Sequence, residues 1–177
     1  MKKARTLTVC AMCLAVAVLL SFIRPLEMPL GGSVTLMSML FVALPGYFFG
    51  LGVGLLSAAT YGIIQFVVYP QMMTPWSALL DYLVAFGLLG LSGLFWKMKY
   101  GLLIGYLVGI TGRFAASFVS GILFYYMFTP EGWNVYLYSA AYNGAYIGLE
   151  GLVTAIIIGI PAVRSAIERI RAQAAAQ

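Results

Sequence analysis

Six long apolar runs, parted by short segments rich in proline, glycine and charge, constrain this 177-residue chain more than any other feature. They span about 6–23, 34–49, 50–68, 76–96, 100–128 and 135–160, and a charged, alanine-rich tail follows at 161–177. A helix needs about 20 apolar residues to cross a bilayer, so the length allows six or seven spans with short loops and no appended soluble module. Hydrophobic residues make up 63% of the chain and charged ones 8%, with a mean hydropathy of +0.99. A surface that cannot be covered with polar groups needs lipid as its solvent. Long continuous runs also exclude a β-barrel, whose strands alternate over short segments. The expected fold is an all-α membrane protein of about six transmembrane helices in one compact bundle.

The net charge of +5 sits at helix ends. Lys2, Lys3 and Arg5 precede the first run, Lys97 and Lys99 separate the fourth from the fifth, and Arg164, Arg169 and Arg171 lie in the tail. With six spans, these eight of the ten Lys and Arg residues fall on one side of the membrane. The excess of Lys and Arg in cytoplasmic segments then puts both termini in the cytoplasm. No basic stripe with interleaved aromatics exists, so nucleic-acid binding is not expected. The first run continues past the Ala15-Val16-Ala17 triplet to Ile23 and reads as a retained helix rather than a cleaved signal.

Cys10 and Cys13 have C-x-x-C spacing, but they lie within an apolar run and no second pair follows. They read as small apolar fillers. The chain has no histidine, which removes the commonest metal ligand and general base. A metal site, a bound cofactor and catalysis are therefore not expected.

Ionisable residues inside a membrane span are costly and mark function or structural pairing. Three qualify: Asp81, Arg113 and Glu150. Arg113 precedes the end of the fifth run by about as many residues as Glu150 follows the start of the sixth, so antiparallel neighbours would bring them to similar depth. The expectation is a structural ion pair, with ligand binding or coupling as the alternative. Asp81 opens the fourth run and either complements a helix N-terminus or faces a pocket. Aromatic residues crowd the same membrane side: Tyr69, Trp76, Tyr82, Tyr125, Tyr126, Trp133, Tyr136, Tyr138, Tyr142 and Tyr146. An interfacial belt accounts for many of them, but not for Asn143 between Tyr142 and Gly144. An amide, a carboxylate and aromatic faces suit a flat, nitrogen-rich or cationic small molecule.

Leu79 to Phe86 (LLDYLVAF), Arg113 to Gly121 (RFAASFVSG), Trp133 to Tyr146 (WNVYLYSAAYNGAY) and Gly31 to Val34 (GGSV) carry a resemblance. In chain order, and over nearly the whole chain, they resemble the thiamine-specific S components of bacterial energy-coupling-factor vitamin transporters. The resemblance implies a multi-pass protein of the bacterial cell membrane that takes thiamine from outside. It would deliver the vitamin by associating with a transmembrane coupling subunit and two ATPase subunits. It implies ligand contacts at Asp81, Tyr82, Ser117, Tyr125, Tyr138 and Asn143, with Tyr69 and Trp133 in the surrounding aromatic group. Ala11 and Ala15 match the small-residue pattern with which such proteins dock on the coupling subunit; ordinary helix packing is the other reading. Ser117 stands where the family commonly has histidine and Tyr125 where it has tryptophan or another aromatic. A pyrimidine precursor of thiamine therefore stays open as the ligand. A self-sufficient secondary transporter is the runner-up, against which stands the lack of paired repeats, and a membrane enzyme is third. No G-x-x-x-x-G-K-[ST] loop occurs, so ATP hydrolysis would belong to a partner.

Overall fold

The computed structural model describes residues 2–175; Met1 and the last two residues of the expected tail lie outside it. Seven helices account for most of the chain. They are α1 (Lys2–Ser21), α2 (Ser38–Phe49), α3 (Leu51–Val68), α4 (Pro75–Phe95), α5 (Gly101–Phe124), α6 (Val135–Gly159) and α7 (Pro161–Ala175). Of these, α1, α3, α4, α5 and α6 are long and apolar enough to cross a membrane, while α2 is a shorter apolar helix of 12 residues. The six pass up and down as one bundle, and α7 packs across one end.

Local chemistry sets the helix ends. Thr74 and Ser77 form a reciprocal cap at the start of α4, with Pro75 in its first turn, where a missing N–H costs nothing. The Asn134 side chain accepts from the backbone N–H of Tyr136 and Leu137 at 2.8 and 3.3 Å to start α6. Ile160 is extended ahead of Pro161, as a pre-proline residue favours, and this ends α6. Gly50 alone joins α2 to α3 at φ +92°, a conformation natural to glycine. The start of α2 falls later than the apolar run because Ser33–Val34 forms β2. This strand pairs antiparallel with β1 (Leu26–Glu27), Leu26 opposite Val34.

Small residues bring the helices together at the end carrying the chain termini. A Cβ on Gly90 would lie 2.4 Å from the backbone carbon of Gly54, and one on Gly93 would lie 2.5 Å from that of Gly50. Ser92 donates to the Ala43 carbonyl at 2.7 Å. The buried core includes Leu89, Tyr106, Met39 and Ile158, while Leu56 and Val67 are each 74% exposed and present an apolar outer surface. Cys10 and Cys13 are buried free thiols, filling space on α1. Arg171 of α7 donates to the Trp96 carbonyl and sets its guanidinium 4.5 Å above the Tyr47 ring. Arg5 donates to the Gln173 carbonyl. The N-terminus, the 96–100 turn and α7 therefore share one end of the bundle, and the hairpin of β1 and β2 lies at the other.

Candidate ligand-binding cavity

At the hairpin end the helices separate around a cavity of about 160 Å³. Its wall is built from α3, α4, α5, α6 and the segment Leu30–Ser33. Two of these helices are underwound there. Leu79–Val84 of α4 and Gly144–Gly148 of α6 are π-helical, each turn holding an extra residue. Such turns change which side chains face inward and recur at functional sites. The first carries Asp81 and Tyr82, and the second carries Tyr146 and directly follows Asn143.

Seven of the eight residues expected at the ligand site line this space: Tyr69, Asp81, Tyr82, Ser117, Tyr125, Tyr138 and Asn143, and Arg113, Tyr142 and Tyr146 join them. Trp133 does not. It is 55% exposed and packs edge-on behind Tyr138 with ring centroids 6.4 Å apart. Asp81 lies beyond the first turn of α4, whose N-terminus is already capped by Thr74 and Ser77. Its carboxylate lies beside Ser120, Tyr125 and Arg113 and belongs to the cavity rather than to the helix end.

Asn143 is held from two sides. Its Nδ2 donates to the Ser117 carbonyl at 3.2 Å and the Ser139 carbonyl at 3.0 Å, while Oδ1 accepts from the Tyr146 hydroxyl at 2.9 Å. Carbonyls can only accept, so they fix which way the amide points. Oδ1 keeps one lone pair, and Asn143 offers the cavity an acceptor. Gly121 makes the arrangement possible, because a Cβ there would lie 2.2 Å from Ser139 Oγ. Tyr82 spends its hydroxyl elsewhere: it donates to the Tyr69 carbonyl and accepts from the Gln71 N–H at 3.0 Å. The ring, packed on Phe66 at 5.2 Å, is what Tyr82 gives the cavity.

The ion pair expected between Arg113 and Glu150 does not form. Glu150 turns to the start of α2, where it accepts from Thr35 and Met39 N–H and from the Thr35 and Ser38 hydroxyls. Arg113 points into the cavity with its guanidinium 4.1 Å above Phe86, and its buried Nε has no hydrogen-bond partner among the described residues. Equal depth on neighbouring helices did not imply facing directions. Ala11 and Ala15 are exposed on α1, and Cys13, Leu14 and Ala17 make its inward face. Packing within the chain therefore does not account for the two alanines.

Sequence reasoning missed Gln65, Phe86 and Arg24. Gln65 is a buried amide in an apolar run, donating to Ser21 Oγ and the Tyr61 hydroxyl, both at 2.8 Å; its polarity inside a span was the available signal. Arg24 stacks 3.5 Å over Tyr69 and pairs with Glu27 at 3.5 Å.

The model of the thiamine transporter protein family matches residues 7–168. The chain belongs to this family. The thiamine transporter ThiT of Bacillus subtilis is 31% identical over 160 residues, covering 81% of this chain and 83% of the relative. The thiamine transporter ThiT of Lacticaseibacillus paracasei is 27% identical over 103 residues, about half of each chain (51%). A solved structure of ThiT from Listeria monocytogenes superposes with a TM-score of 0.75 at 22% identity, covering 92% of this chain and 98% of the other. That likeness speaks to the fold. The chain is thus a multi-pass member of a transport family, not of an enzyme family.

Proposed function

We propose that this protein captures thiamine in the cavity at the hairpin end and releases it on the other side of the membrane. The observation that carries the reading is the combination of Asp81, the acceptor Oδ1 of Asn143 and a ring of tyrosines around one cavity. Thiamine joins an aminopyrimidine to a positively charged thiazolium. The amino group would donate to Asn143 Oδ1, the flat rings would stack on Tyr125, Tyr138 and their neighbours, and Asp81 would offset the thiazolium charge. Of the two cations in the wall, Arg24 is paired with Glu27 at 3.5 Å and stacked on Tyr69, and Arg113 lies over Phe86. Ser117 leaves more room than a ring would and offers only a hydroxyl.

The basic end of the bundle supports a cytoplasmic location for both termini, which puts the cavity mouth outside. Delivery would proceed through association with a transmembrane coupling subunit and two ATPase subunits. The exposed Ala11 and Ala15 on α1 would let another helix approach closely. The test is to titrate the purified chain with thiamine, reading tryptophan fluorescence and calorimetry. Saturable binding is expected, and its absence would overturn the ligand assignment. Equal affinity for a hydroxymethylpyrimidine would move the assignment to the precursor. Thiamine uptake by vesicles containing this chain alone would instead identify a self-sufficient transporter.

A further inference from the structure

We propose that Glu150 is a positioning residue for ligand capture: it clamps the Pro29–Met37 segment onto the bundle as the outer wall of the cavity. The inference rests on the reading that the cavity takes thiamine, although Glu150 does not line it. A buried carboxylate in an apolar layer is costly unless donors satisfy it. Glu150 is 3% exposed and has four. Oε2 accepts from Thr35 N–H at 2.9 Å and Thr35 Oγ1 at 2.7 Å, and Oε1 accepts from Met39 N–H at 3.2 Å and Ser38 Oγ at 3.4 Å. Two donors belong to the start of α2. The other two belong to Thr35, which lies before the helix, between β2 and α2. One side chain thus caps a helix and ties down the chain leading into it.

What is tied down is under strain. Leu30 at φ +63° and Met37 at φ +58° are non-glycine residues in the left-handed region. Such conformations persist only where the surroundings over-determine them. Glu150 holds one end of the segment. Tyr142 holds the other, accepting from Gly32 N–H at 2.9 Å and donating to the Pro29 carbonyl. Leu30 to Ser33, which form part of the cavity wall, start within the Tyr142 tie and run directly into the Glu150 tie at Thr35. Both ties come from α6, the helix that also presents Asn143 and Tyr138 to the ligand. The carboxylate therefore acts on the ligand through the wall, by keeping it shut once the ligand is inside.

The test compares wild type with Glu150→Gln, which presents an amide where two N–H groups need an acceptor, and with Thr35→Val, which keeps both N–H donors and removes the Thr35 hydroxyl with its bonds to Glu150 and to Ser38 Oγ at 2.6 Å. Thiamine association and dissociation are followed by stopped-flow fluorescence, and hydrogen exchange of residues 28–39 is followed without ligand. The expected result is dissociation faster by about tenfold or more in Glu150→Gln, with association changed by less than about threefold, and a smaller rise in Thr35→Val. Ligand-free exchange over 28–39 should rise in both. A lower melting temperature with unchanged dissociation would make Glu150 a core stabiliser only and overturn the proposal, as would unchanged exchange. If Glu150→Gln does not fold, Thr35→Val decides by the same two readings. If wild type does not bind thiamine, the ligand assignment fails, and the exchange comparison still decides whether Glu150 holds the wall.

Discussion

α4 is wound in two ways along its length. From Leu79 to Val84 it is a π-helix, wide and underwound, and from Leu88 to Phe95 it is a 3-10 helix, narrow and overwound. The wide half stands beside the cavity and carries Asp81 and Tyr82. The narrow half packs closely along α2 and α3, where Gly90 and Gly93 touch the backbone of Gly54 and Gly50. The same helix thus opens space at one end and removes it at the other. The two regions are also held by different forces. The terminal end relies on close contact between small residues in an apolar environment, and the hairpin end on hydrogen bonds that Tyr82, Tyr142 and Asn143 make and that Glu150 accepts, which fix otherwise separated segments.

The contrast can be broken most severely at the narrow end. Gly90→Leu would drive a side chain into the Gly54 backbone, which cannot yield, at a cost of about 3 kcal/mol or more. The expected outcome is aggregation or loss of a single peak in size-exclusion chromatography; a well-folded variant would show that the contact is looser than described. At the wide end, substitutions should spare the fold and damage binding. Asp81→Asn keeps the side-chain shape and removes the charge, and should weaken thiamine binding by about tenfold or more with no loss of melting temperature. Unchanged affinity in calorimetry would remove Asp81 from the ligand's partners. Asn143→Ala should follow with about 1 kcal/mol or more of lost affinity, accompanied by some loss of stability because Nδ2 ties α5 to α6. The smallest effect is expected at Trp133, which stands behind Tyr138 outside the cavity. Trp133→Ala should alter affinity by less than about threefold, in line with an edge-on aromatic contact of about 1 kcal/mol that does not include the ligand. A larger loss would place the ligand against the outer loop.

Much of the site was readable because polar residues in apolar runs are rare enough to stand out one at a time. Asp81 and Asn143 stood out in this way, the tyrosines by their crowding on one membrane side and Ser117 through the family resemblance, and they meet in one cavity. Pairing was harder to read than membership. Arg113 and Glu150 were matched by depth, which follows from counting residues, but facing direction depends on rotation about each helix axis. The π turn at Gly144–Gly148 lies just before Glu150 and changes that rotation. The segment from Arg24 to Ser33 read only as a connection. It becomes a cavity wall through contacts such as Gly32 with Tyr142, 110 residues away in sequence, and nothing local announces them.

What the sequence determined by itself is the solvent and an all-helical bundle of about six apolar helices. A chain so poor in charge can satisfy its side chains only in lipid, its long continuous apolar runs can satisfy their backbone there only as helices, and its basic residues gather mostly at one end. Only the tertiary structure decided which faces meet. That outcome is set by where α4 and α6 depart from regular winding, and those departures are stabilised by neighbours distant in sequence: the Gly62 backbone against the Tyr82 carbonyl, Phe118 and Ser117 carbonyls against Ser139 and Asn143, and the start of α2 against Glu150.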